Sequence, residues 1–102
     1  MQVTIIKTNS TLRAGEKINE LYPGKKQCFV YSITDLTHRS QHLSSDIYVI
    51  DNIRTHEAIK MILTIDMWMP SFQKDIVVIT KDDLDAFESL HSKIKNRQLF
   101  IL

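Results

Sequence analysis

Ile47-Tyr48-Val49-Ile50 and Ile76-Val77-Val78-Ile79 are the two stretches on which the reading of the fold turns. Each is apolar at every position, dominated by β-branched residues, and too short to be a helix. A strand with one face in water alternates apolar and polar side chains. A strand buried on both faces, as in a parallel sheet covered by helices, is apolar throughout. Both stretches belong to the second kind.

Working outward, the remaining elements alternate strand with helix. Val3 to Ile6 is a short β-branched run, and Cys28-Phe29-Val30-Tyr31 and Leu99-Phe100-Ile101-Leu102 are the other two strands. Ser10 is placed to cap a helix carrying Ala14, Ile18, Leu21 and Tyr22 at helical spacing, which Pro23-Gly24 ends. Thr55 is a candidate cap for a helix with Ala58, Ile59, Ile62 and Leu63, and Pro70 lies beyond its end. Asp82 or Asp83 caps a helix with Leu84, Phe87, Leu90 and Ile94 on one face. Residues 33–45 are polar, with Leu36 and Leu43 allowing a weak helix. This order predicts one α/β domain over residues 1–102, a doubly wound five-stranded parallel sheet with right-handed crossovers. The helix that would normally follow the last strand is expected to be lacking.

Composition narrows the function classes. The chain has 102 residues, 43% hydrophobic and 25% charged, as a globular domain has. Thirteen basic residues against twelve acidic leave +1, which is no electrostatic footprint for nucleic acid. The single cysteine, Cys28, excludes an internal disulfide and suits a reducing compartment, so a cytoplasmic location is expected. No apolar stretch approaches the roughly 20 residues of a membrane helix, and Met1-Gln2-Val3-Thr4 lacks a signal pattern. His38 and His42 stand four apart but have no third ligand, so an exposed polar face is the reading and no metal is expected. His56 and His91 are read as surface residues. Met61, Met67, Trp68 and Met69 are read as core, and Lys93, Lys95 and Arg97 as a basic helix end.

In an open parallel sheet, function sits at the carboxyl ends of the strands. Here those ends hold Lys7-Thr8, Ser32, Asp51-Asn52 and Thr80-Lys81. A carboxylate such as Asp51 is a conceivable phosphoryl acceptor, and a hydroxyl such as Thr80 a partner for a phosphoryl oxygen, provided further acids hold Mg²⁺. The plain alternative for Asp51 is a turn or cap residue.

The arrangement resembles the receiver domains of response regulators with LuxR-type DNA-binding outputs. Val3-Thr4-Ile5-Ile6 is similar to their opening strand, and Arg13 and Gly15 match an Arg-x-Gly in their first helix. Asp46-Ile47-Tyr48-Val49-Ile50-Asp51 is similar to the strand ending in the phosphorylated aspartate, and Asp75-Ile76-Val77-Val78-Ile79-Thr80 to the strand ending in a switch hydroxyl. Lys81-Asp82-Asp83 and Phe100 follow in place. The departures define the expectation. Lys7 and Thr8 stand where the family has two metal-binding acids, and Asn52-Ile53-Arg54 replace its Met-Pro.

What the resemblance implies is a degenerate pocket of Asp51, Lys7, Thr8 and Thr80, in a flavodoxin-like domain that is not an enzyme and takes no cofactor. In it Lys7 either pairs with Asp51 or both face solvent. The implied role is the phosphorylation-independent regulatory and dimerisation domain of a bacterial transcription regulator. DNA would be reached only through a separate output domain. A stand-alone adaptor or inhibitor that binds a partner regulator is the other reading. A homodimer is expected, with Leu99, Phe100, Ile101 and Leu102 at or near the contact, because an uncovered apolar strand is unusual on a monomer.

Overall fold

The computed structural model describes residues 2–32, 45–51, 54–68, 74–82, 87 and 96–102. Five strands, β1 (Val3–Lys7), β2 (Gln27–Val30), β3 (Ile47–Asp51), β4 (Asp75–Thr80) and β5 (Arg97–Ile101), form one sheet in which every pairing is parallel. Among the described residues two helices, α1 (Thr11–Leu21) and α2 (Thr55–Trp68), pack on it. This is the doubly wound α/β sheet expected, flavodoxin-like in its layers. Its strand order is β2-β3-β4-β1-β5, whereas flavodoxin-like sheets run 2-1-3-4-5. The first strand is therefore inserted between the fourth and the fifth, and β4 separates it from β3.

That order explains how the faces are covered. The steps β2 to β3, β3 to β4 and β4 to β5 all advance in one direction across the sheet, and α2 and Phe87, which belong to two of these steps, lie on one face. Only the step from β1 to β2 runs backwards, and it places α1 on the other face. The two apolar clusters follow this division. Val3, Ile5, Cys28, Val30, Tyr48, Ile50, Ile76 and Val78 meet Ala58, Met61, Ile62 and Ile65 of α2, together with Phe87. Ile6, Ile47, Val49, Val77 and Ile79 meet Ala14 and Ile18 of α1, with Tyr22 and Phe100 at the margin. The consecutive apolar residues of β3 and β4 are thus shared between two cores.

Local chemistry sets the helix ends. The Ser10 hydroxyl accepts from the Arg13 N–H at 3.2 Å, the cap expected of it. The chain leaves α1 through Tyr22 and turns at Gly24, whose φ of 72° suits a residue without Cβ. Thr55 lies inside α2, whose first N–H groups reach the Arg54 carbonyl, so the cap position falls one residue earlier than expected. Arg97 opens β5 rather than ending a helix, and its guanidinium donates to the Phe87 carbonyl at 3.2 Å. The readings on residues 33–44, including His38 and His42, and those on Met69, Pro70, Leu84, Leu90, His91, Lys93, Ile94 and Lys95 lie outside the described residues.

Candidate functional site

Ligands of open parallel sheets settle where neighbouring strands send their connections to opposite sides. In the 2-1-3-4-5 order that point lies between β1 and β3. Here β1 leaves toward β2 by way of α1 and β4 leaves toward β5, so the divergence lies between β1 and β4. Their carboxyl ends are held together by the Thr8 N–H donating to the Thr80 carbonyl at 3.0 Å.

Each threonine shapes the turn that leaves its strand. Thr8 Oγ1 accepts from the Ser10 N–H at 3.1 Å, and Thr80 Oγ1 accepts from the Asp82 N–H at 3.0 Å. Both residues are buried. Hydroxyls bonded to the main chain two residues on form turns of their own, and that is the work these two do.

Lys7, Thr8 and Thr80 of the expected pocket lie together at the ends of β1 and β4, and Asp51 does not join them. Lys7 is level with Thr80 across the β1–β4 pair, and Asp51 is level with Ile79 across the β3–β4 pair. Strands about 4.8 Å apart put Lys7 and Asp51 about 10 Å from each other along the sheet. They also point apart. Alternation places Lys7 on the α2 side with Val3 and Ile5, and Asp51 on the α1 side with Ile47 and Val49. An ion pair between them is excluded by the pleat and by the intervening strand. Burial pushes the Asp51 carboxyl above its ordinary value, and the cation that draws it back is Lys81. Of the two arrangements expected for Lys7 and Asp51, the pairing does not form. Among the described residues, no group of three or more His, Cys, Asp or Glu side chains is placed to hold a metal ion.

A second feature lies at the β5 margin. Leu99 is 50% exposed, Ile101 71% and Leu102 39%, while Phe100 turns inward under the Lys17 ammonium, 4.3 Å from its ring centre. Of the four interface residues expected from sequence, three are exposed and one belongs to the α1 core. Beside this strand, Arg13, Glu16, Lys17, Glu20 and Leu102 line an open groove of about 300 Å³. Apart from Arg13, matched to a family arginine, these residues carry no expected role; the sequence signal for them is the alternation of sign along α1, where Lys17 reaches Glu20 at 3.4 Å. At the opposite margin Phe29 and Tyr31 stack on each other at 6.4 Å, both partly in solvent.

No protein-family model matches the chain, and neither a curated protein nor a solved structure matches it. Among the described residues no helix is long and apolar enough to cross a membrane.

Proposed function

We propose that this chain is a non-catalytic regulatory module that acts by protein association, with a second copy of itself as its first partner. One observation carries the reading: a strand at the sheet margin exposes Leu99, Ile101 and Leu102. The carboxyl-end crevice adds indirect support, since its buried hydroxyls are committed to turns and Asp51 lies on the α1 side of the sheet, away from Lys7.

The reading as a phosphorylation-independent receiver in a bacterial transcription regulator, with DNA reached through a separate output domain, keeps the support of motif order in the sequence. It loses support from the strand order, because a receiver-type pocket draws on adjacent first and third strands. An adaptor or inhibitor that binds a partner regulator fits the same surface without that requirement. Incubation with acetyl phosphate and Mg²⁺, followed by intact mass, separates these from a working phosphoacceptor. The expected result is no mass gain. A phosphoryl adduct that disappears in Asp51→Ala would overturn the non-catalytic reading. Light scattering over a dilution series tests association, for which a strictly monomeric mass at the highest soluble concentration is the contrary outcome.

A further inference from the structure

Edge strands offer a row of main-chain donors and acceptors to any passing strand, and proteins blunt them with lysines, prolines, bulges or a covering element. Among the described residues β5 has one neighbour, β1, and lies at the end of the sheet. The Val3 N–H donates to the Asn96 carbonyl and the Leu102 N–H to the Lys7 carbonyl. Even-numbered residues of this strand therefore direct their main-chain groups at β1, and by the alternation of the ladder Leu99 and Ile101 direct theirs outward. Gln98 to Leu102 contains neither a charged residue nor a proline. The one charge of the strand, Arg97, is turned back onto the Phe87 carbonyl. The edge carries none of these side-chain guards, and its outward residues are the exposed aliphatic ones.

We propose that the β5 edge pairs antiparallel with the β5 edge of a second copy, joining two five-stranded sheets into one across a two-fold axis. The inference rests on the self-association reading and specifies its surface. Three features select a copy of this chain. An antiparallel repeat of the same strand supplies donors opposite acceptors and closes the assembly, whereas β5 set against β2 of the next copy would propagate without end. A two-fold axis perpendicular to the sheet keeps Leu99 and Ile101 of both copies on one face, where they become cross-strand neighbours. The groove beside β5 is also self-complementary in charge. α1 runs antiparallel to the strands, so Arg13 lies toward their carboxyl ends and Glu20 toward their amino ends. The axis exchanges those ends, which sets Arg13 toward the partner's Glu20 and Glu16 toward the partner's Lys17.

Three exposed side chains fall short of the roughly 800 Å² that each partner contributes to a standard interface. The main-chain ladder and the charged groove make up the difference, and the dimer belongs among the weaker, reversible ones.

The test is the dimer dissociation constant of the full chain, measured by sedimentation equilibrium. Leu99→Pro removes an outward N–H and leaves the ladder to β1 intact, a position where edge strands accept proline. The two-fold removes that donor twice, so dissociation should rise about tenfold or more. Ile101→Lys, an edge guard, should do the same and serves if the proline variant fails to fold. Arg13→Glu should weaken the dimer and Arg13→Glu with Glu20→Arg should restore it. Phe29→Ser, at the opposite margin, should leave it unchanged. A dimer that keeps its affinity in both β5 variants, or loses it only in Phe29→Ser, overturns the edge pairing while self-association itself stands. A monomeric wild-type chain overturns both.

Discussion

Two residues show how far single side chains can be read. Gly15 sits in the interior of α1, where an added Cβ would meet no atom within 4 Å. Its match to a family glycine carries no structural demand in this fold. Gly15→Ala should therefore raise stability by about 0.5–1 kcal/mol through helix propensity and unfolded-chain entropy, read as a higher denaturation midpoint with unchanged slope. Gly24→Ala should lower it, because φ there is positive. Asp51 is the opposite case, a residue whose environment matters more than its place in a motif. Burial raises its folded pKa above the ordinary 3.8, with Lys81 pulling the other way. In the unfolded chain it titrates near its ordinary value. Between the two values the folded state binds more protons, so stability falls as pH rises through that window. Asp51→Asn should thus be more stable than wild type at neutral pH, and the advantage should vanish in acid below the ordinary carboxylate range. An advantage that persisted unchanged there would show that the cost is not one of ionisation.

Among the elements, β1 is the keystone, and a buried hydroxyl ties it to its neighbours. Thr4 is fully buried, and its hydroxyl meets the Tyr22 hydroxyl at 3.1 Å and the Gln98 amide at 2.8 Å. This joins the end of α1 and the edge strand β5 to the sheet centre. Burial raises the Tyr22 pKa, against the hydrogen bond from Thr4. Thr4→Val keeps the shape but removes the buried hydroxyl on which Tyr22 and Gln98 meet, and should cost about 1–3 kcal/mol. A double-mutant cycle with Tyr22→Phe should show a coupling of about 0.5 kcal/mol or more, and strict additivity would mean that the network contributes nothing as a unit. The elements themselves were legible in the sequence because short apolar runs and helical spacing are local properties. Among the described elements, β1, β3, β4, α1 and α2 fall where Ile5, Val49, Val77, Ile18 and Ile62 predict them. The candidate pocket was not legible. Whether Lys7 meets Asp51 depends on which strands are neighbours, and nothing in either strand's own residues encodes that. Pleat parity was available from the sequence. Because Lys7 and Asp51 end strands of different neighbourhoods, parity became decisive only once the order of the strands was known.

The scale of the whole molecule is set by the strand order, which makes β3, β4 and β1 interior and leaves β2 and β5 as edges. Opening free energies differ across a structure, with edges exchanging before centres. Amides of Ile5, Val49, Val77 and Val78 should therefore exchange only by the largest opening, and those of β2 and β5 sooner. A 2-1-3-4-5 order would put the same three strands inside but set β4 beside β5, and a β1–β5 contact would be absent. Cysteines introduced at Thr4 and Gln98, which are register partners in β1 and β5, should cross-link only in the order described. The edge pairing adds a sharper signature within a single strand. The Phe100 and Leu102 amides lie on the side of β5 that faces β1, so their protection should not depend on protein concentration. The Leu99 and Ile101 amides lie on the outer side and gain a partner only when two copies meet. Raising the concentration through the dissociation constant should slow exchange at Leu99 and Ile101 alone, in an alternation of period two that only strand pairing produces. Uniform slowing along β5 would indicate a dimer that buries the strand's side chains without pairing its edge.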